Sequence, residues 1–383
     1  MKFFVIATSI SSIINFRGKL LDRIYSKNYS IHIIIPEEFK ENSIVENLIN
    51  KGFSVHFIPL SRTSISISKD LKSLFYLIKI IRYEKPDIIL SYTIKPVIYG
   101  SIAAKISGIR KIYSLITGLG YIFTNLDKPN HKVTNVQKVV FFLYKIALSF
   151  SSKVIFQNSD DAELFEKMNL VNNKKINIVN GSGVDLSHYN YDLTIFEEYT
   201  PEQPIKFLML GRIIGDKGIR EYVAAATELK KKYGTKVIFQ LGGGLDTNPT
   251  AIQQKELDEW VSTGVIEYLG KLQDVRPTIT NSHVFILPSY REGTSRSILE
   301  AMSIGRPIVT TNVAGCRQLV EVGRNGYLAE AKSVQSLVDA IEKMINLSSN
   351  ELIQMGTYSR KIVEDKYDVH KVNEHMLTIM DIK

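Results

Sequence analysis

Short β-branched and apolar runs alternate with stretches of helical length through this chain, and the alternation lapses once and then restarts. That pattern restricts the fold more than anything else in the sequence. Runs at 3–6, 31–35, 54–58, 88–90, 112–116, 154–156 and 176–179 read as strands. Segments 15–27, 43–51, 70–83, 97–107, 133–150 and 160–169 between them have the length and spacing of helices. Strands separated by helices are joined by crossovers, and crossovers make a parallel sheet. Periodicity is lost over 186–204 and returns with strands at 207–210, 237–241, 265–268, 284–287 and 307–310. The expected architecture is α/β: two Rossmann-like, doubly wound parallel sheets. The first domain spans 1–186, a linker 187–204, the second domain 205–365, and a closing helix 366–383 braces them. Sheets of this kind bind ligands beyond the carboxyl ends of their strands, so the expected site is a cleft between the domains.

The most informative stretch is Arg291-Glu-Gly-Thr-Ser-Arg-Ser-Ile-Leu-Glu300, which follows the apolar run ending at Leu287, Pro288 and Ser289. It reads as a strand, a sharp turn and a helix opening at Thr294 or Ser295. A helix start at the end of a strand offers backbone N–H groups and the positive end of a dipole, and so favours an anion such as phosphate. At about 1.5 Å rise per residue, Glu292 and Glu300 stand roughly 9–12 Å apart. That is too far to share a proton and suits the two hydroxyl-rich ends of one nucleotide-sugar. A second motif, Gly211-Arg-Ile-Ile-Gly-Asp-Lys-Gly218, closes the first strand of the second half. Arg212 offers a planar fork of donors and Lys217 a movable charge, both suited to a diphosphate, although a solvated basic loop has the same composition.

Other classes are disfavoured. Gly242–Gly244 follows a strand without a dinucleotide fingerprint, and Thr8-Ser-Ile-Ser-Ser12 follows the first strand, which argues against a nicotinamide dehydrogenase. The triplet reads as a tight turn first and a close ligand approach second. His32, His56 and His283 sit in apolar runs and read as core or edge histidines, because no second ligand stands at metal spacing. No metal and no cofactor are expected; Arg212, Lys217 and a helix N-terminus would take the cation's place. Composition is that of a soluble globular protein, 44% hydrophobic and 23% charged. Residues 1–200 carry 25 Lys+Arg against 17 Asp+Glu, and 201–383 carry 23 against 22. The basic first half suits anionic lipid or nucleic acid, or a plain lysine-rich surface. The one cysteine, Cys316, points to a reducing compartment. The run 1–7 is too short for a signal-peptide core, and no run is long enough for a membrane span. Residues 139–148 read as a sheet-covering helix, with a membrane-surface helix as the alternative.

Gly-Arg-x4-Lys-Gly followed about eighty residues later by Glu-x7-Glu, in a double Rossmann-like chain, resembles the retaining glycosyltransferase family 4 of the GT-B fold. The resemblance implies that Arg212 and Lys217 hold the donor diphosphate, that Glu300 binds ribose hydroxyls, and that Glu292 lies near the donor sugar. It further implies that Gly293, Thr294 and Ser295 line sugar and phosphate, and that Gly270, Lys271 and Leu272 meet the base. In the first half, Asn15-Phe-Arg17, Ser91-Tyr-Thr-Ile-Lys-Pro96 and Thr117-Gly-Leu-Gly-Tyr121 resemble bacterial members that add an N-acetylhexosamine to polyprenyl-diphosphate-linked saccharides for capsule, O-antigen or glycan assembly. Ser9, Asn15, Arg17, Thr93, Lys95, Thr117 and Gly118 then fall on the acceptor side. Many members carry a Gly-Gly pair in the first loop and a His after the fifth strand. This chain has Ser9, Ser11 and Asn15 in the first place and Thr117-Gly118 in the second.

The resulting expectation is a cytoplasmic glycosyltransferase, peripheral on the inner face of the cell membrane. Its partners would be a UDP-sugar donor, a polyprenyl-diphosphate-linked acceptor and an anionic membrane surface, with no nucleic acid. A sugar-nucleotide epimerase of the same architecture is the alternative, and a noncatalytic nucleotide- or membrane-binding module is the third class.

Overall fold

The computed structural model describes residues 1–60, 67–120, 123, 133–197, 203–246 and 250–383. These form two compact units, 1–182 with 370–383, and 183–369.

The first unit is built on seven strands: β1 (Lys2–Ile6), β2 (Ser30–Pro36), β3 (Ser54–Ile58), β4 (Ile88–Tyr92), β5 (Lys111–Ile116), β6 (Lys153–Phe156) and β7 (Ile176–Ile178). All pair in parallel, in the order β3-β2-β1-β4-β5-β6-β7. The inner strands are mostly apolar because both faces are covered, with His32, Ser91 and Ser114 as buried polar exceptions. Phe3 and Val5 of β1 enter one core with the helix Ile10–Tyr25, while Phe4 and Ile6 enter another with Leu77 and Ile81 of the helix Ile67–Glu84. The order reverses between β1 and β4, so the loops after these two strands diverge and leave a crevice at their carboxyl ends.

The second unit has six strands: β8 (Ile205–Leu210), β9 (Val237–Gly242), β10 (Glu267–Tyr268), β11 (Val284–Leu287), β12 (Ile308–Thr311) and β13 (Gly326–Ala329). They too are parallel, in the order β10-β9-β8-β11-β12-β13, with the switch between β8 and β11.

Three features depart from the expectation. Residues 187–197, within the segment read as a linker, contribute buried Tyr189 and Phe196 to the second unit's core. Arg306, fully buried, fixes this segment: its guanidinium lies 4.7 Å over the Phe196 ring and donates to the carbonyls of Asp192 and, at 2.8 Å, Ser282. An irregular segment can bury side chains without a period, so periodicity misses it. The closing residues 370–383 belong to the first unit. Met376, Leu377, Ile379 and Met380 lie in the first unit's core, and Tyr113 donates its hydroxyl to the Met380 carbonyl at 2.9 Å. Strand β13 was not expected, because Gly326-Tyr-Leu-Ala329 is short and only its ends are buried.

Candidate active site

The two motifs of the second half meet at the carboxyl ends of β8 and β11. After β8 the chain makes a single turn, Gly215–Lys217, and enters the helix Ile219–Tyr233 through Gly218 at φ 74. A Cβ at Gly218 would stand 2.1 Å from the Pro288 carbonyl, so only glycine lets the loop after β8 lie against the loop after β11. That approach brings the Lys217 ammonium onto Glu292 Oε1, with the two side chains 18% and 16% exposed. Ser289 Oγ donates to the same carboxylate at 2.7 Å, and the Tyr290 amide donates to the Asp216 carbonyl at 2.9 Å. Arg212, 47% exposed, donates from Nη1 to Asp246 Oδ2 at 2.9 Å. Two cations therefore stand on one loop, each paired with a carboxylate.

The turn itself is tighter than the sequence suggested. The loop after β12 folds onto it: the Glu292 amide donates to Ala314 at 3.0 Å and the Ser295 amide to Gly315 at 3.1 Å. Gly315, at φ 78, would drive a Cβ to 2.2 Å from the Glu292 carbonyl. Ser295 caps the helix Arg296–Ile304 by accepting from the Ile298 amide at 3.5 Å. Of the amides expected to line phosphate or sugar, that of Ser295 is thus committed to the protein. This close contact comes from Asn312-Val-Ala-Gly-Cys316, a stretch with no pattern of its own. Cys316 lies buried beside this turn, and burial, with the Glu292 charge next, pushes its thiol up to about 12, so it is inert.

Glu300 projects from the same helix into a prepared setting. Arg296 donates from Nε to Glu300 Oε1 at 3.0 Å and from Nη1 to the Gly183 carbonyl at 2.8 Å, while the Tyr189 hydroxyl donates to Glu300. Burial raises the Glu300 pKa, and Arg296 and Tyr189 oppose that rise. Arg296 was legible as an i,i+4 partner; Tyr189, more than a hundred positions away, carried no such signal. The loop Gly270–Leu272 joins the turn that follows β9. Gly243 donates its amide to the Gly270 carbonyl at 2.8 Å, and the Leu272 side chain lies where a Cβ on Gly242 would be 3.2 Å away. The glycine triplet is a contact between backbones: a Cβ on Gly243, at φ 153, would fall 1.7 Å from the Gly211 carbonyl oxygen.

In the first unit, the crevice between β1 and β4 brings Thr8 and Thr93 together, Oγ1 to Oγ1 at 3.2 Å. Thr93 has φ 68, a conformation that costs a β-branched residue about 1–3 kcal/mol and is kept where surroundings enforce it. Ser9 precedes the helix Ile10–Tyr25 as its N-cap residue. On that helix Asn15 is exposed, whereas Arg17 is buried with its guanidinium 5.6 Å from the Tyr92 ring centroid. Lys95 is paired at 2.7 Å with Asp70, which also accepts from the Tyr99 hydroxyl at 3.1 Å. Thr117 and Gly118 follow β5 half-buried, Gly118 at φ 109; Tyr121 lies outside the described residues. Asp70 and Tyr99, which hydrogen-bond here, lie outside the motifs quoted from the sequence, whereas Thr8 and Tyr92 stand inside such stretches without an assigned role.

Two doubly wound parallel sheets, with cations and carboxylates gathered on the carboxyl-end loops of the second, define an α/β protein of the double Rossmann-like class. Comparison with known proteins makes the class specific. Residues 204–347 match the family model described as glycosyl transferases group 1, and residues 10–158 match the one described as glycosyl transferase 4-like. The chain carries family-4-like glycosyltransferase domains and is a glycosyltransferase of the GT-B fold. It is 28% identical over 373 residues, 93% of this chain and 94% of the relative, to N,N'-diacetylbacillosaminyl-diphospho-undecaprenol α-1,3-N-acetylgalactosaminyltransferase of Campylobacter jejuni. It is 26% identical over 321 residues, 81% of each chain, to UDP-Gal:α-D-GlcNAc-diphosphoundecaprenol α-1,3-galactosyltransferase of Escherichia coli. The crystal structure of Anabaena HepE in complex with UDP and glucose shares the fold, with a TM-score of 0.73 at 17% identity over 100% of this chain and 99% of that one. The epimerase alternative finds no support in these matches. Among the described residues no helix is long and apolar enough to cross a membrane.

Proposed function

We propose that this enzyme transfers a sugar, an N-acetylhexosamine, from a UDP-sugar to a polyprenyl-diphosphate-linked saccharide, with retention of anomeric configuration, at the inner face of the cell membrane. The observation that carries this reading is the pairing of Lys217 with Glu292 beside Arg212 at the β8 and β11 loop ends. The relatives' named acceptors, both undecaprenyl-diphosphate-linked sugars, support the acceptor class.

In this reading, breaking the bond between the anomeric carbon and the β-phosphate oxygen leaves negative charge on UDP and positive charge on the sugar. Arg212 and Lys217 stabilise the first. Glu292, released as Lys217 turns to phosphate, faces the sugar and orients its hydroxyls. The acceptor hydroxyl bonds to the anomeric carbon and gives its proton to the departing phosphate oxygen. Glu300 holds the ribose hydroxyls, with Gly293, Thr294 and Ser295 beside the sugar and phosphate and Gly270, Lys271 and Leu272 at the base. Ser9, Asn15, Arg17, Thr93, Lys95, Thr117 and Gly118 serve the acceptor. The chemistry routes no step through a metal. Mass spectrometry of lipid-linked sugars from cells with and without the protein tests the reading: its loss should leave a shorter polyprenyl-linked saccharide, lacking one N-acetylhexosamine. An unchanged lipid-linked pool would count against it.

A further inference from the structure

His32 and His56 stand on neighbouring strands of the first unit, on the face that also carries Phe4. The register sets Ile34 opposite His56 and His32 opposite Ser54, so the two imidazoles are diagonal neighbours. His32 Nδ1 and His56 Nε2 are 3.0 Å apart and the ring planes lie within 8° of each other. Phe4 is stacked against both, at centroid distances of 4.6 and 5.8 Å. The end of the helix Ile67–Glu84 brings a carboxylate to the same point, Glu84 Oε2 lying 4.0 Å from His32 Nδ1. One nitrogen from each histidine and one oxygen from Glu84 all fall within 4.8 Å of one another.

We propose that His32, His56 and Glu84 form a binding site for a divalent transition-metal cation, zinc by preference, at the amino-terminal side of the first unit's sheet. Two imidazoles and one carboxylate are a donor set that zinc takes with three protein ligands and a water in the fourth position. Zinc bonds of about 2.0–2.2 Å set tetrahedral donors about 3.3–3.6 Å apart, so the two imidazoles are already close to that spacing and the Glu84 carboxylate must swing in by about an ångström. The cluster is mostly imidazole, so magnesium and calcium, which take oxygen donors, are disfavoured.

Both facing nitrogens must be bare to ligate, and the proton they share in the metal-free pair has somewhere to go. His32 Nε2 stands 3.2 Å from Ser30 Oγ, which can accept it, and His56 can carry its own on Nδ1. Burial also keeps both imidazoles below their ordinary pKa, and the neutral ring is the ligating form. In the metal-free protein the counter-charge of Glu84 is Lys2, whose Nζ lies 2.7 Å from Oε2. The Lys2 side chain is 40% exposed, so it can turn into water when a cation takes its place. Lys2 is therefore a built-in competitor, and its removal makes a directional test. The site lies at the opposite strand ends from Thr8 and Thr93 and takes no part in the transfer.

The test is equilibrium dialysis and calorimetry of the full chain with Zn²⁺ alone, with Mg²⁺ as the contrast. One equivalent of zinc should be retained and no Mg²⁺. Zinc retention should be lost in His32→Ala/His56→Ala and weakened in Glu84→Gln. Lys2→Met, which leaves all three ligands and changes only a half-exposed side chain, should bind zinc more tightly than the parent. Co²⁺ in the Lys2→Met protein should show the intense visible absorption of a tetrahedral ion. The remaining histidines stay in every variant and report adventitious binding. Zinc uptake equal in the parent and the double-histidine variant, or no tightening in Lys2→Met, would overturn the proposal.

Discussion

Replacing Lys217 by methionine should have a larger effect on UDP binding than the loss of one contact, and the reason lies in Glu292. In the free enzyme the Lys217 ammonium neutralises that carboxylate, and neither side chain is more than 18% exposed. Removing the lysine deletes a charge-assisted hydrogen bond to phosphate, about 1.5–3 kcal/mol. It also leaves an uncompensated carboxylate next to the diphosphate; with the effective dielectric of a partly buried site, that repulsion adds about 1–2 kcal/mol. The sum, about 2.5–5 kcal/mol, corresponds to UDP bound about sixtyfold to several thousandfold more weakly. In the double variant Lys217→Met/Glu292→Gln the repulsion is gone, so about tenfold of the loss should return. Glu292→Gln alone should bind UDP at least as tightly as the parent, because Lys217 no longer has to leave a carboxylate. Calorimetric titration of the three variants with UDP, each with a melting curve, measures the whole cycle. The lysine variant should also melt below the double variant, since a half-broken pair strands a charge. Unchanged UDP affinity in Lys217→Met, or a double variant no better than the single one, would refute the placement of the diphosphate at Lys217.

Other outcomes follow from the same geometry. Glu300→Gln should weaken UDP and UDP-sugar alike, by about 1–3 kcal/mol, whereas Glu292→Gln should cut turnover without weakening UDP; equal losses of UDP affinity in both would remove the division between ribose and sugar. His283 accepts the Lys206 amide on Nδ1 at 3.0 Å, and burial, with Arg306 and Lys206 adding, lowers its pKa to about 4. A depressed histidine contributes stability above its unfolded value near 6.5 that is lost as pH falls toward 4, an upper bound of about 3 kcal/mol. His283→Asn, which can accept the same amide, should flatten that part of the stability profile between pH 6.5 and 4. Sugar transfer should proceed at an undiminished rate in EDTA; activity abolished by the chelator and restored by Mg²⁺ or Mn²⁺ would contradict a diphosphate held by Arg212 and Lys217 alone.

What the sequence revealed tracks how local each feature is. Strands such as Lys2–Ile6 and Val284–Leu287 are buried on both faces and read directly as apolar runs, so both parallel sheets were legible. Gly218 and Glu292 announced themselves because their motifs are contiguous, and the structure brings them together. What escaped is long-range. The commitment of the Ser295 amide depends on Gly315, and the hydrogen bond to Glu300 comes from Tyr189 in a segment without period. The grouping of His32, His56 and Glu84 needs two strands in register and the end of a helix, none of which any spacing in the chain expresses.

The most direct test combines purified protein, a UDP-N-acetylhexosamine with an α-anomeric bond, and an undecaprenyl-diphosphate-linked saccharide, with UDP release followed alongside the product's anomeric NMR signal. The account predicts that UDP is released only when acceptor is present, and that the new linkage is α. Isomerised donor without acceptor, or a β linkage in the product, would contradict it.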